Sequence, residues 1–159
     1  MMDIDQQSGP LKECRDFFQL VLKELEFLLE DGGFTPVKLD SARQGERCLI
    51  ILASLDYQLK LIADRGTLES LIGSSEAARG WENIIDGNVE WYGLYNFIEV
   101  ALDNHRSSPD EWQELGYRLF NMPLNAKIQE VAKLLAPIYR DLAYTFHEGR
   151  LAEIKHELG

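Results

Sequence analysis

The run from Cys48 to Ser54 constrains this chain more than any other stretch. It is apolar on both parities: Cys48, Ile50 and Leu52 on one, Leu49, Ile51 and Ala53 on the other. Successive strand side chains point to opposite faces, so a strand of this kind is at home only in a sheet covered on both sides. It is expected to be a central strand.

The neighbouring segments supply the rest of a sheet. Phe34, Val37 and Leu39 suggest a first strand, with Pro36 placing it at an edge because proline has no N–H for a ladder. Ser41 to Glu46 reads as a loop around Gln44-Gly45. Tyr57, Leu59, Leu61 and Ala63 alternate with Gln58, Lys60 and Asp64, which predicts a strand with one wetter face. Asp64-Arg65-Gly66 is a turn signal, and Leu68 to Ile72 is a shorter strand ending at Gly73. Connections this short favour an antiparallel meander of about four strands.

Helices flank that block. Cys14, Phe18, Val21, Leu25 and Leu28 draw an apolar stripe over 11–31, closed by Gly32-Gly33. Residues 74–90 are irregular, with Trp81 inside and Trp91 just beyond. A helix is expected from Trp91 to about Asp103 on Leu94, Phe97, Ile98 and Ala101. Ser108-Pro109-Asp110-Glu111 has the form of a helix start, leading through Trp112, Leu115 and Leu119 and stopping before Pro123. A long helix from Asn125 carries Ile128, Val131, Leu135, Ile138 and Leu142, with Pro137 expected to kink it before it ends near 147–149. Leu151, Ile154 and Leu158 suggest a short terminal helix. The order is one leading helix, the meander, then three to four C-terminal helices. Segregated strands and helices mean an α+β fold, here one domain over 1–159 with residues 1–10 as a loose leader.

Charge narrows the partners. The net charge of −11 and the lack of a basic cluster argue against nucleic acid and against an anionic membrane. No apolar run approaches the ~20 residues that span a bilayer. Met1 to Pro10 has Asp3 and Asp5 and no basic residue, unlike a signal peptide, so a cytoplasmic setting is expected. In that setting Cys14 and Cys48 read as two buried thiols rather than a disulfide.

The acidity is uneven. Residues 1–31 hold eight acids and three bases, and residues 76–111 hold eight acids and two bases, while 32–75 and 112–159 are balanced. The second acidic segment interleaves carboxylates with rings. Trp81, Glu82, Asp86, Glu90, Trp91 and Tyr92 are therefore the candidate partner-binding residues, the rings serving as anchors and the charge as steering toward a basic protein. The plainer alternative is a solvated acidic face above core aromatics.

Catalytic motifs are thin. His105, His147 and His156 have no metal-ligand spacing, and there is no HExxH, GxSxG, phosphate loop or GxGxxG. No catalytic residue, metal or cofactor is assigned.

Four segments together resemble small bacterial α+β proteins of the toxin-immunity kind and related uncharacterised proteins. They are Phe27–Phe34 (FLLEDGGF), Tyr57–Gly66 (YQLKLIADRG), Ile72–Ser74 (IGS) and the acidic, tryptophan-containing stretch that follows. The resemblance spans about the first two thirds of the chain and implies binding and neutralising a partner protein without catalysis. Two other readings stand beside it. One is a small-molecule binder or small enzyme with a pocket between the sheet and the helices after residue 90, lined by Tyr92, Tyr95 and His105. The other is a structural homo-oligomer, a homodimer that buries part of the sheet around the two-sided strand 48–54.

Overall fold

The alternation read from residues 34–73 becomes a sheet whose register explains its two faces. The computed structural model describes residues 13–102, 121–147 and 150–158. Helices α1 (Arg15–Glu24) and α2 (Glu26–Glu30) lead, separated at Leu25. The strands β1 (Thr35–Ala42), β2 (Arg47–Ala53), β3 (Tyr57–Asp64) and β4 (Thr67–Ser74) follow as an antiparallel meander. A separate two-stranded hairpin comes next, β5 (Ile84–Ile85) and β6 (Asn88–Val89). Strand β7 (Trp91–Gly93) then returns to pair with β4, giving a five-stranded sheet in the order β1-β2-β3-β4-β7. After it come α3 (Leu94–Ala101), α4 (Leu124–Leu135), α5 (Tyr139–Tyr144) and α6 (Arg150–Leu158). The fold is α+β, with a leading helix, a meander and C-terminal helices.

Antiparallel partners directly opposite one another share a face. Leu52, Leu59, Ile72 and Tyr92 form one such row, on the helix side. Ile51, Lys60, Leu71 and Gly93 form another, on the opposite side. The helix side holds the larger core, where Ile50, Leu52, Leu59 and Leu61 meet Phe18, Val21, Leu25, Leu28, Phe97, Ile128, Val131 and Leu135. The opposite side holds a smaller one of Leu49, Ile51, Ile62, Leu71, Ala77 and Trp91. Residues 48–53 are buried throughout, as a two-sided strand requires.

Rings tie the helix side together. Phe34 meets Tyr57 edge-on at 5.1 Å, Tyr57 stacks on Phe146 at 5.5 Å, and Phe146 stacks on Phe97 at 5.3 Å. These offset and edge-on arrangements are the favourable ones for aromatic quadrupoles. The Tyr57 hydroxyl donates to the Tyr139 carbonyl at 2.8 Å, so a buried polar group is satisfied and the sheet is bonded to α5.

Turns behave as their residues dictate. Arg65 and Gly66 both have positive φ, 52° and 86°, which suits a two-residue hairpin between β3 and β4. Gly33, at φ 73°, closes the leading helical segment. Pro36 does lie in the edge strand, beside a register shift between Pro36 and Lys38.

Five expectations are corrected. The thiols are not free: Cys14 and Cys48 form a disulfide across 34 residues of sequence, with Cα atoms 5.7 Å apart. The packing of α1 on β2 brings the two together. Strand β3 has no wet face, since Gln58 and Lys60 are both 0% exposed. Trp91 begins a fifth strand rather than a helix, its register set by Gly73 opposite. Pro137 does not merely kink one helix but divides it into α4 and α5, as the loss of an N–H donor and the clash with the preceding turn require. The 11–31 segment is broken at Leu25, where ψ is 23°. The leader 1–10 and the helix expected from Ser108 lie outside the described residues.

Candidate functional site

Residues 75–90 lie across the face of the sheet opposite the helices and act as its cap. The close approach begins at Gly73: a Cβ there would stand 2.9 Å from Ala77 Cβ, 2.9 Å from the Glu90 carbonyl oxygen and 3.0 Å from the Trp91 ring. Only glycine leaves room for the cap at that point.

The polar residues of β3 hold the cap down. Lys60 rises from an apolar row and donates from Nζ to the carbonyls of Gly80 at 2.9 Å and Glu82 at 3.2 Å. Its ammonium also lies 4.5 Å from the centroid of the Trp91 ring. An ammonium has three donors, and two carbonyls and a π-face receive them. Burial pulls the Lys60 ammonium down from 10.5 to about 8, with Glu69 opposing that shift. Gln58 does similar work: Nε2 donates to the carbonyls of Ser74 and Ala77, both at 3.0 Å, and Oε1 accepts from Arg79 Nε at 2.9 Å.

The cap's own side chains complete the fastening. Trp91 Nε1 donates to the Ala78 carbonyl at 2.8 Å, and Glu90 Oε1 accepts from the Ala78 N–H at 3.0 Å. Trp81 Nε1 donates to Asp40 Oδ2 at 2.8 Å, which ties the cap to edge strand β1. The Arg47 guanidinium covers the Trp81 ring at 4.8 Å, and Arg47 Nε lies 3.3 Å from Asp64.

From this base the β5–β6 hairpin rises. Asp86 and Gly87 take positive φ, 51° and 82°, the conformation that a tight two-residue hairpin turn favours. Ile84 pairs across it with Val89, and both are exposed, at 59% and 42%. Glu82 and Asp86 are exposed and Glu90 is half-buried. The carbonyl of Asn83 closes the hairpin's foot, accepting from Glu90 N–H at 2.8 Å and Trp91 N–H at 3.3 Å.

The six candidate residues thus divide. Glu82 and Asp86 are presented to solvent on the hairpin. Glu90 and Tyr92 lie half-buried at its base, the Tyr92 hydroxyl donating to the Val89 carbonyl at 3.1 Å. Trp91 is 2% exposed, so its ring is a support for Lys60 and not an outward anchor. Trp81 is half-buried against the smaller core. On the hairpin the apolar side chains that face outward are Ile84 and Val89, within the segment expected to be irregular. The signal that locates them is Asp86-Gly87 between two short apolar runs.

Among the described residues, a depression of about 350 Å³ lies at the base of the hairpin, lined by Gly87, Asn88, Val89, Tyr92, Lys155 and Leu158. Tyr92 belongs to it, Tyr95 does not line it, and His105 lies outside the described residues. His156 is exposed on α6, while His147 Nε2 pairs with Asp56 Oδ1 at 2.7 Å. Near that pair, Ser54 Oγ is engaged with the Tyr57 carbonyl at 3.1 Å and makes no relay with the histidine. Among the described residues no group of three His, Cys, Asp or Glu is placed to hold a metal ion, and no helix is long and apolar enough to cross a membrane.

No family model, curated protein or solved structure matches the chain.

Proposed function

We propose that this chain is a non-enzymatic protein-binding module, immunity-like in manner, whose β5–β6 hairpin engages a basic partner protein. One observation carries the reading. Two aliphatic side chains, Ile84 and Val89, stand exposed side by side on a hairpin flanked by Glu82, Asp86 and Glu90. A fold gains nothing from leaving that pair in water. The mount is rigid, fixed by Lys60, Gln58 and Trp91, so little ordering entropy is lost on docking. Carboxylates around the pair would raise the association rate with a basic surface and favour it over acidic competitors. The anchors are thus aliphatic and supported by tryptophan from below, rather than tryptophan themselves.

The test compares partner capture by the wild-type chain and by Glu82→Lys/Asp86→Lys/Glu90→Lys, at about 50 mM and about 500 mM salt, where screening differs strongly. A partner held by the wild type, and lost both in the variant and at high salt, supports the reading. Equal capture by both proteins removes it. Ile84→Ser/Val89→Ser probes the apolar part, and should weaken the same partner without steepening the salt dependence.

A small-molecule site is the second reading, favoured by the depression beside Tyr92 and Lys155. It borders the same hairpin, so ligand binding there would change with Lys155→Ala on α6, while capture at the hairpin would not. As for location, the cytoplasmic expectation rested on the acidic first ten residues, and the free thiols were inferred from it. The buried Cys14–Cys48 bond supports an oxidising compartment instead.

A further inference from the structure

A different face carries a second, independent surface. The connection between β2 and β3 places Leu55 almost wholly in water, at 96% exposed. Its two neighbours in sequence, Ser54 and Asp56, line an open groove of about 320 Å³. Phe34, Tyr57, Tyr139 and Ala143 supply aromatic and aliphatic lining, and Tyr144 stands on the wall at 74% exposed. A projecting apolar side chain and a recess of mixed polar and apolar lining therefore adjoin one another on one surface.

The charges on that surface are mixed. Asp31 and Asp56 line the groove together with Arg140 and His147. Arg140 lies over the Tyr139 ring at 5.3 Å, and His147 pairs with Asp56 at 2.7 Å. The chain as a whole carries −11, so two copies repel over most approaches. They do so least where acids and bases are interspersed. The hairpin with Glu82, Asp86 and Glu90 has no such balance.

We propose that this face joins two copies of the chain about a two-fold axis, each Leu55 entering the groove of the other. An isologous interface requires one patch that is complementary to itself. Knob and recess side by side meet that condition in shape, and acids beside Arg140 meet it in charge. A two-fold axis between Leu55 and the groove would set each Leu55 against the partner's recess, with Arg140 near the partner's acids. The reason for a dimer given by strand 48–54 disappears, because the cap and the helices already cover both of its faces. The interface moves to the end of the sheet where the β2–β3 connection meets α5.

Sedimentation equilibrium from about 1 µM to about 1 mM tests this, a range that spans weak to moderate association. The mass is expected to rise from one copy to two across it. Leu55→Asp should raise the dimer dissociation constant by roughly tenfold or more, as loss of a central anchor does. Arg140→Glu should do likewise, with partial recovery in Arg140→Glu/Asp31→Arg. Leu55 and Arg140 are exposed, so unchanged thermal unfolding of each variant confirms that folding is intact. Glu82→Lys on the hairpin should leave the dimer constant where it was. A wild-type chain that stays monomeric to about 1 mM, or a Leu55→Asp chain that dimerises as the wild type does, overturns the proposal. So does dimerisation abolished by Glu82→Lys alone, which would place the interface on the hairpin.

Discussion

The ammonium of Lys60 lies 4.5 Å from the centre of the Trp91 ring, and the same ammonium bonds the carbonyls of Gly80 and Glu82. One side chain on β3 therefore holds both ends of the cap: the loop before the hairpin and the strand after it. Trp91, the central lysine and the carbonyls on either side of Trp81 make a single structural unit.

That unit gives a pH dependence of definite sign. The Lys60 ammonium titrates near 8 in the fold and near 10.5 when unfolded. Between those values the unfolded chain holds more protons, so stability rises with pH across that window and the gain fades as pH falls through about 8. The full span is at most roughly 3 kcal/mol, and less to the extent that solvent screens the ammonium. Lys60→Met should flatten the slope while changing neutral-pH stability by only about 1 kcal/mol, because an apolar isostere avoids the buried charge. Amide exchange in residues 75–90 should accelerate about tenfold as the cap loses its tie. Denaturant melts at a series of pH values check the slope; an unaltered slope in the variant refutes the assignment.

Gly73→Ala should detach the cap from within. The new Cβ meets Ala77, the Glu90 carbonyl and Trp91 at 3.0 Å or less. Two of these contacts are backbone or ring atoms where the chain enters β7, so relief requires moving the cap. The expected cost is ~1–3 kcal/mol, with a red shift of Trp91 fluorescence as the ring gains water. Gly80→Ala, with nothing within 4 Å, should leave both unchanged.

Removing the disulfide should cost about 2–4 kcal/mol, the usual range for a cross-link that closes a loop of this length. Cys14→Ala/Cys48→Ala frees 34 residues of separation in the unfolded chain and detaches the start of α1 from β2. Thermal melts of the variant, with and without reductant, check this. Reductant should lower the melting temperature of the wild type toward that of the variant and leave the variant itself unmoved.

Tyr57 acts in the opposite alkaline direction to Lys60. Burial, reinforced by the neighbouring Asp56 charge, holds its phenol above the ordinary 10.0. Above that pH the fold keeps a proton that the unfolded chain releases, so stability falls as pH rises. Tyr57→Phe should remove that fall. At neutral pH it should cost ~1 kcal/mol, since the Tyr139 carbonyl loses its donor. Phenolate absorbance followed by alkaline titration reports whether one tyrosine fewer ionises late.

Much of the sheet is legible in the sequence because its signals are local. Cys48–Ala53 shows its two covered faces by being apolar at every position, and Pro36 and Arg65-Gly66 mark an edge and a turn by backbone preference alone. Trp91 is harder. Trp91, Leu94 and Ile98 fit a helical period, so the pattern that correctly finds α3 runs one turn too early. What decides the strand is the ladder to Leu71, Ile72 and Gly73 on β4, where Gly73 faces Trp91. Lys60 is harder still. A lysine alternating with leucines reads as solvent-facing, and only the carbonyls of Gly80 and Glu82, some twenty residues on, reverse that. The Cys14–Cys48 pair likewise depends on how α1 packs on β2, which no window of neighbouring residues contains. The candidate site is legible in its charge and not in its anchors, because the same segment that carries the acids also has to cover a sheet.

The cap has a consequence for how such a protein changes over generations. It is one unbroken stretch that leaves the sheet after Ser74 and rejoins it at Trp91. The helix-side core draws on other residues entirely. Substitution or lengthening of the hairpin can therefore change the surface it presents while the helix-side core is inherited intact. Lys60, Gly73 and Trp91 are the fixed seats into which successive versions of that stretch have to fit.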